Sequence, residues 1–565
     1  MRYTRYASLA LVAALATAAL AQNLEQEKAH DVVLRALVDE IERNQDSLVL
    51  EDLERPYFIE FALQDARQFV IAADLGSVVM TGGNRDRMLS TEVRVGSYEL
   101  DNTNFEGGFG YRGRRFRRGG GAGSASVPIE DDYHAIRQAI WWATDRQYKD
   151  VVETFEQKKA FMQGKLIEDK PADFSREEPV VYLEDRPVVE LHEQELEQLA
   201  LELSRIFRDH PEIEDSSVSA TAVGGHRYLV NTEGTRIRIA GHRFAIGINA
   251  QTRADDGMEL ADSVTVCALK FADLPTEEEL RAETVKMVKR LIALRTAPVL
   301  ETYNGPVLLA AQPAAELFGS FFADRFAGGQ RPVGSSSNPD DFENKIGQRL
   351  FPRYIRIVDD PTLEAFADVP LVGHYQFDHQ GVRARPVTLV DGGRLEAQVM
   401  SRNPSRIADS STGHGRGMSG SSASTSVLLL TGDDPLPEEQ LHQELLSAAR
   451  DEGLDFGILI ARLGETGGGL DGFYGMRGSG GRNPLEIYKV YEDGRRELVR
   501  GVELSGLDLR AFKQLVGVGA RAYVHNQGQT GQSFIAPAML FEELDLAKID
   551  RDFDKPPFMP NPVGR

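Results

Sequence analysis

A short stretch that follows an apolar strand spaces polar side chains at helical intervals. In "PAAELFGSFFADRFAGG", residues 313–329, Glu316, Ser320 and Asp324 recur every four residues, which is the spacing of one helix face. Two carboxylates without a histidine make a poor zinc site. We therefore expect this face to be polar and to point toward solvent or a groove. The residues expected to anchor the helix on a sheet are Leu317, Phe318, Phe321 and Phe322.

A second group of ligand-type side chains lies in "GHYQFDHQG". His374 and Asp378 would share one face of a strand and His379 would lie on the other, because strand side chains alternate. A shared metal would therefore need a turn at this point. Surface and turn residues are the favoured interpretation, and a metal site is the alternative.

A third group consists of His414, Gly415 and Arg416 in "TGHGRG". Glycine allows a backbone to approach a ligand closely, so these residues are the candidates for binding a peptide or phosphate substrate. A flexible loop is the alternative.

Common catalytic motifs are missing from the chain. There is no HExxH, G-x-S-x-G, P-loop or CxxC, so a zincin helix and a nucleophile elbow are not supported. We predict no catalytic residue and no metal ligand. Cys267 is the single cysteine and is expected to be a small buried hydrophobe.

Both helices and strands are predicted among the elements that would position these residues. Residues 24–45 have helical periodicity, and residues 133–163 predict a long amphipathic helix with Trp141 and Trp142 as core anchors. Between them, "PYFIEFALQD" and "ARQFVIAADLGSVVM" predict a hairpin with its turn near Gln64 and Asp65.

A β meander begins near residue 216, and Thr276 with Glu279 predicts a capping box at the start of a helix over 277–295. Short strands dominate from about 345 to 545. The predicted fold class is α+β, with a mixed N-terminal region followed by a strand-rich C-terminal domain.

The length of 565 residues favours several domains. We predict an N-terminal α+β domain at 22–215, a central meander with the helix at 216–330, and a β-rich domain at 331–565. The net charge of −23 argues against nucleic acid as the main partner. The Arg/Gly-rich segment 107–126 is therefore expected to be a solvated loop, with an acidic partner surface or anionic lipid as alternatives.

Residues 1–21 predict a secretory signal peptide. Arg2 and Arg5 precede a short apolar run, and Ala19-Leu20-Ala21 fits a cleavage site before Gln22. An N-terminal membrane anchor is the alternative. We expect a mature protein that is periplasmic or extracellular and has no integral membrane association.

Four stretches together resemble the TldD/PmbA family, which is linked to peptidases and to DNA gyrase modulation. They are "RDRMLSTEVRVGSYELDNTNF", "YLVNTEGTRIR", "GPVLLAAQPAAELFGSFFA" and "GVRARPVTLVDGGRLEAQVMSRNPSRIADSSTGHGRG". The resemblance covers nearly the whole mature chain and implies that the helix at 313–329 corresponds to the active-site helix.

In the TldD branch that helix carries HExxxH, and a cysteine near the C-terminus completes a zinc site. Placing the motif here puts Gly319, Ser320 and Asp324 at its His, Glu and His. The C-terminal counterpart, "YVHNQGQTGQSFIAP", has no cysteine. These degenerate positions imply a metal-free chain of the PmbA (TldE) type.

The resemblance also implies a partner. TldD-like and PmbA-like chains form a heterodimeric protease in which one subunit holds zinc and unfolded or extended peptides are cleaved. We therefore predict a non-catalytic subunit of an exported protease, or alternatively a homo-oligomer. Two alternatives stay open: an active peptidase that uses His374, Asp378, His379 or His414, and a stand-alone peptide-binding envelope protein.

Overall fold

The fold is taken from a computed structural model. It describes residues 27–49, 53–106, 123–164, 170–335, 341–417, 422–465, 482–505 and 507–550. The predicted signal peptide at 1–21 and most of the Arg/Gly-rich segment 107–126 lie outside these residues.

The first sheet is built by the N-terminal half of the described chain. Its strands are β1 Pro56–Asp74, β2 Ser77–Val95, β3 Ser124–Ser126, β4 Val181–Leu183, β5 Asp215–Asn231, β6 Arg236–Arg253 and β7 Glu259–Ala268. Their order is β3-β2-β1-β5-β6-β4, and β7 also pairs with β6. The pairing of β1, β2, β5, β6 and β7 is antiparallel throughout.

The predicted turn near Gln64 and Asp65 is wrong. Strand β1 continues to Asp74, and the turn to β2 falls at Leu75 and Gly76, which have φ values of 47° and 71°. Positive φ at both central residues is the geometry of a two-residue hairpin turn. Asp65 lies within the ribbon, where its carboxylate accepts hydrogen bonds from Arg85 and Arg87 of β2.

Helices cover one face of this sheet. They are α1 Val32–Ser47, α2 Tyr133–Gln163, α3 Glu193–Arg205 and α4 Glu277–Thr296. The capping box of Thr276 and Glu279 at the start of α4 is confirmed. Trp141 and Trp142, however, are not core anchors: 38% and 52% of their surfaces are exposed, because the buried stripe of α2 runs through Ile136 and Ile140 instead.

The opposite face of the first sheet is only partly covered. Along β5 and β6, fully buried residues alternate with half-buried ones. Buried residues such as Ala222 and Phe244 pack in the core that includes α3 and α4. Alternation places Thr221, Val223 and Ala245 on the other face.

The second sheet is built by the C-terminal half. Its strands are β8 Tyr303–Leu309, β9 Ile355–Asp359, β12 Val387–Asp391, β13 Arg394–Leu395, β16 Val427–Gly432, β17 Phe456–Glu465, β18 Arg482–Tyr491, β19 Arg496–Val499, β20 Val502–Leu504, β21 Leu515–Gln527 and β22 Gln532–Lys548. The path is β13-β12-β9-β16-β22-β8-β17-β18-β19, and β20 and β21 also pair with β22. Two small hairpins, β10 Ala365–Phe366 with β11 Val369–Pro370 and β14 Gly415–Arg416 with β15 Ser422–Ala423, lie outside it.

The helices of this half are α5 Ala311–Phe322, α6 Glu438–Asp451 and α7 Leu509–Lys513. Helix α5 packs on β22 and β21, and a large apolar core surrounds it. The strand-rich C-terminal half and the α+β class are as predicted. No helix within the described ranges is long and apolar enough to cross a membrane.

The sheets divide the chain differently from the predicted domain boundaries. The boundary at 215/216 falls at the start of β5, which pairs with β1 inside the first sheet. The boundary at 330/331 separates β8 from β22, which are hydrogen-bonded neighbours. Long-range strand pairing decides these units, and local sequence pattern carries no signal for it.

Candidate functional site

Helix α5 follows directly after β8, and its start is compatible with the sequence. Pro313 lies in the first turn, where a missing backbone N–H costs nothing. Phe318 and Phe322 are fully buried and Leu317 nearly so, as predicted. The Phe322 ring lies 4.7 Å from that of Phe512 and 5.1 Å from that of Phe351, so aromatic packing holds the helix against its core.

The polar face predicted for α5 is confirmed at Ser320 and Asp324 but not at Glu316. Ser320 and Asp324 are exposed, whereas Glu316 is 9% exposed and Gly319 is buried. A Cβ atom at Gly319 would lie 2.3 Å from the ring of Phe534 on β22, a separation that real Cβ atoms do not show. Glycine at 319 is therefore required by the close approach of the helix to this ring.

The less exposed part of this face consists of the half-buried Gln312 and the buried Glu316 and Gly319, which share helical spacing. Gln312 Nε2 donates to Glu316 Oε1 at 3.2 Å. His525 Nδ1 of β21 lies 3.9 Å from the same oxygen. The structure thus brings Glu316 opposite the C-terminal stretch that the family resemblance assigned to the site.

Arg462 of β17 connects this face to the first sheet. Its Nη1 donates to Gln312 Oε1 at 3.3 Å, and its Nε donates to Asp262 Oδ1 of β7 at 2.8 Å. Asp262 also pairs with Arg290 of α4, whose Nε donates to Glu486 Oε2 at 2.6 Å. We call this connected set of Gln312, Glu316, His525, Arg462, Asp262, Arg290 and Glu486 the helix-face network.

The charges of the network compensate one another. Burial lowers the pKa of Arg462, but the negative charges of Asp262 and Glu316 outweigh it, so the net shift is upward. Burial and the charge of Glu316 raise the pKa of Tyr523 on β21. The guanidinium of Arg462 therefore stays charged, and Tyr523 stays a neutral hydrogen-bonding group at neutral pH.

The polar side chains of "GHYQFDHQG" contact backbone groups of their own loop and of neighbouring loops. The Asp378 carboxylate is fully buried and accepts backbone N–H groups of Gln380, Val382 and Gly415. His379 Nδ1 accepts the N–H of Gly417 at 2.9 Å, and His374 Nδ1 lies 3.0 Å from the Pro361 carbonyl oxygen. The turn that a shared metal would need is present, but these contacts do not join the three side chains.

The structure does not support direct substrate contact for His414 or Gly415. His414 is fully buried, with Nε2 lying 3.3 Å from Asp359 Oδ1. A Cβ at Gly415 would lie 2.4 Å from Gln380 Oε1. The glycines that suggested an open loop instead permit tight internal packing, and only Arg416 of the three is partly exposed.

The residues present do not fit the zinc site of the TldD branch. Structural and catalytic zinc needs at least three protein ligands. Among the buried residues of α5, only Glu316 meets a histidine, and Phe534 occupies the space beside Gly319. Across the described ranges, no group of three or more His, Cys, Asp or Glu side chains is arranged to hold a metal ion.

Sequence reasoning missed most members of the helix-face network. Arg462 lies 150 residues from Gln312 and 200 residues from Asp262, and no local pattern links them. One signal was available: "ILIARLG" places an arginine inside an otherwise apolar strand. A charge at such a position is expected to need a buried partner.

The comparisons agree with this architecture. Residues 302–548 match the model of the PmbA/TldA metallopeptidase C-terminal domain. A metalloprotease of Methanothermobacter thermautotrophicus is 25% identical over 323 residues, covering 56% of this chain and 65% of that protein. A metalloprotease of Methanocaldococcus jannaschii is 23% identical over 57% of this chain and 66% of that protein. The chain thus spans just under two thirds of these curated relatives.

Solved structures share the fold. TldE from Thermococcus kodakarensis has a TM-score of 0.57 at 14% identity, covering 91% of this chain and 100% of that one. A Thermotoga maritima protein described as a modulator of a DNA gyrase has a TM-score of 0.56 at 16% identity, covering 87% and 96%. Residues 302–548 are thus similar to the PmbA/TldA metallopeptidase C-terminal domain, and the chain shares the fold of these solved structures.

Proposed function

We propose that this protein is the non-catalytic, TldE-like subunit of a protease that cleaves unfolded peptides. The observation that carries the proposal is the contact between Gly319 and Phe534. At the position that the resemblance assigns to a zinc-binding histidine, the backbone lies against an aromatic ring and leaves no space for a side chain. Zinc is then expected only in a partner that carries HExxxH.

Helix α5 keeps the anchoring that an active-site helix needs. Its aromatic side is buried, and its other side meets β21 through Glu316 and His525. This arrangement supports a role in shaping a site or an interface. The names of the curated relatives support proteolysis as the activity of the assembly.

Strand β7 provides a place where an extended peptide could lie. Among the described residues it pairs with β6 alone. Its other side is contacted near its two ends, by Arg462 at Ser263 and by Gly528 at Cys267. Thr265, in the middle of the strand, is exposed. A peptide that adds to such an edge is held by backbone hydrogen bonds, which tolerate many sequences.

The first experiment tests the division of labour between two chains. We expect a tagged form of this protein to copurify with a chain bearing HExxxH from the same genome. Zinc measured by elemental analysis should follow that partner. An unfolded protein substrate should be hydrolysed only when both chains are present. Stoichiometric zinc and hydrolysis with this chain alone would overturn the proposal, as would failure to bind any HExxxH chain.

We further propose that the protein is exported. The basic start, short apolar run and Ala19-Leu20-Ala21 support this. The intact mass of the protein purified from its native cells should correspond to a chain beginning at Gln22. A mass that includes residues 1–21 would contradict the proposed cleavage.

A further inference from the structure

Three arginines meet near one end of β7. Arg227 of β5 and Arg243 of β6 lie on the face of the first sheet opposite its helices, because they alternate with the buried residues Ala222 and Phe244. Arg416 of β14 reaches the same place from the second half of the chain. We call Arg227, Arg243 and Arg416 the arginine cluster.

The guanidinium groups of the cluster lie close together. A Cβ atom at Gly531 would lie 3.0 Å from Arg243 Nη2 and 3.2 Å from Arg416 Nη2. Both guanidinium nitrogens therefore lie beside Gly531. His379 responds to all three positive charges. Burial and the charges of Arg227, Arg416 and Arg243 hold its pKa well below its ordinary value.

Each arginine of the cluster donates to a backbone carbonyl group. Arg227 Nη1 donates to Asp378 O at 3.2 Å, Arg243 Nη1 donates to Gly528 O at 2.8 Å, and Arg416 Nη2 donates to Gly531 O at 3.2 Å. In the described part of the chain, no carboxylate lies within ion-pair distance of these three groups.

The charge of Asp378 offsets the burial of Arg227 only in part. The carboxylate oxygens of Asp378 already accept three backbone N–H groups, and burial raises the pKa of that carboxyl. Burial, in turn, lowers the pKa of Arg227 to about 10. Three positive charges in a partly desolvated place normally have an anionic partner.

Two further features indicate that the partner is a bound group. Arg243 Nε is buried and has no hydrogen-bond acceptor among the described atoms. Gly241, two residues before Arg243 on the same face, is exposed, and a Cβ built there would meet nothing within 4 Å. The surface of the strand is therefore open two residues from this unsatisfied donor.

His379 adds a neutral donor to this surface. Its Nδ1 accepts the N–H of Gly417, so the proton of the neutral ring is on Nε2.

Arginine forks match the two oxygens of a carboxylate, with which they form short charge-assisted hydrogen bonds.

Strand β7 leads from the helix-face network to the cluster. Ser263 O accepts from Arg462 Nη2 at 2.5 Å. Four residues further on, a Cβ at Gly528 would lie 2.7 Å from Cys267 Sγ, and the carbonyl of Gly528 accepts from Arg243. At ~3.3 Å per residue, these two points are about 13 Å apart.

We propose that the arginine cluster binds a carboxylate of the extended polypeptide that lies along β7. This inference rests on the proposed function for the presence of a peptide and adds the group by which one point of that peptide is recognised. The carboxylate has two possible sources, which are the C-terminus of the peptide and an Asp or Glu side chain.

The test uses fluorescent, unstructured peptides and the full-length protein in a binding titration at low salt. One peptide has a free C-terminus, a second is amidated and contains no acid, and a third is amidated with one internal Glu. We expect at least tenfold weaker binding of the second peptide than of the first. The third peptide shows whether a side-chain carboxylate replaces the chain end.

Substitutions in the arginine cluster test whether it causes the difference in peptide affinity. Arg243→Gln and Arg416→Gln should each weaken binding of the free-carboxylate peptide at least tenfold, about 1.4 kcal/mol, and leave the amidated acid-free peptide unchanged. Arg253→Gln is the matched control, because it removes a positive charge from the same strand where Glu214 and Glu259 already pair with it. Its affinity for each peptide should equal that of the wild type. A thermal melt of each variant checks folding.

Equal binding of all three peptides by the wild-type protein and by both variants would overturn the carboxylate site and leave peptide binding intact. Binding of no peptide would overturn the inference, while the copurification experiment still decides separately whether the chain is a protease subunit.

Discussion

The helix-face network and the arginine cluster are two groups of arginines at opposite ends of β7, and they differ in their counter-charges. Arg462 and Arg290 share the buried carboxylate of Asp262. Within the described residues Arg243 and Arg416 donate to backbone carbonyl groups, Arg416 also lies over the Tyr375 ring, and neither pairs with a carboxylate. A buried ion pair that is complete joins parts of a fold, whereas an incomplete one is suited to a ligand that brings the missing charge.

The largest effect is expected from removing the shared acid of the network. Asp262→Asn would remove the carboxylate that pairs with the buried Arg462 and leave Arg290 paired with Glu486 alone, and loss of one partner from a buried ion pair costs about 3–5 kcal/mol. Denaturant unfolding measures this loss. Glu492→Gln, which removes the exposed pair with Arg450, is the control and should change the free energy of unfolding by less than about 1 kcal/mol. A similar small change for Asp262→Asn would contradict the structural role of the network.

A smaller loss is expected at the contact between α5 and β22. Gly319→Ala should gain about 1 kcal/mol of helix propensity, but the new methyl group would clash with the buried Phe534 ring. Overpacking of this kind costs about 1–3 kcal/mol, so a net decrease in the free energy of unfolding is expected. Ser320→Ala on the exposed side should stay within about 0.5 kcal/mol. A stabilised Gly319→Ala variant would show that the helix has space at this position.

The smallest effect is expected in the arginine cluster. Arg243→Gln removes a charge that other positive groups repel, so the free energy of unfolding should be unchanged or rise by less than about 1 kcal/mol. Any gain should shrink as salt is added, because salt screens the repulsion. Strong destabilisation by this substitution would show that Arg243 has a structural ion pair and would remove the contrast between the two regions.

Much of the local structure could be predicted from sequence. The helix over 133–163 has the predicted bounds, and the capping box of Thr276 and Glu279 is present. Such features depend on residues within one or two turns of each other. The α+β class and the strand-rich C-terminal half follow from patterns of the same kind.

Predictions that depended on a distant partner were less successful. Trp141 and Trp142 were expected in the core because of their size, yet the orientation of α2 leaves them exposed. His414 was a candidate for substrate contact because of the glycines beside it, yet it is fully buried and Asp359 lies opposite its ring. Residue type alone does not specify which side of an element meets another element.

The sequence by itself determined that this chain lacks the HExxxH motif and the C-terminal cysteine of the TldD branch, because Gly319 has no side chain and the only cysteine is Cys267. Only the tertiary structure decided that Phe534 fills the space beside Gly319, that His525 lies opposite Glu316, and that Arg227, Arg243 and Arg416 converge. The physical reason is that a ligand set is limited by residue identity, whereas packing and uncompensated charge arise only when strands distant in the chain become neighbours.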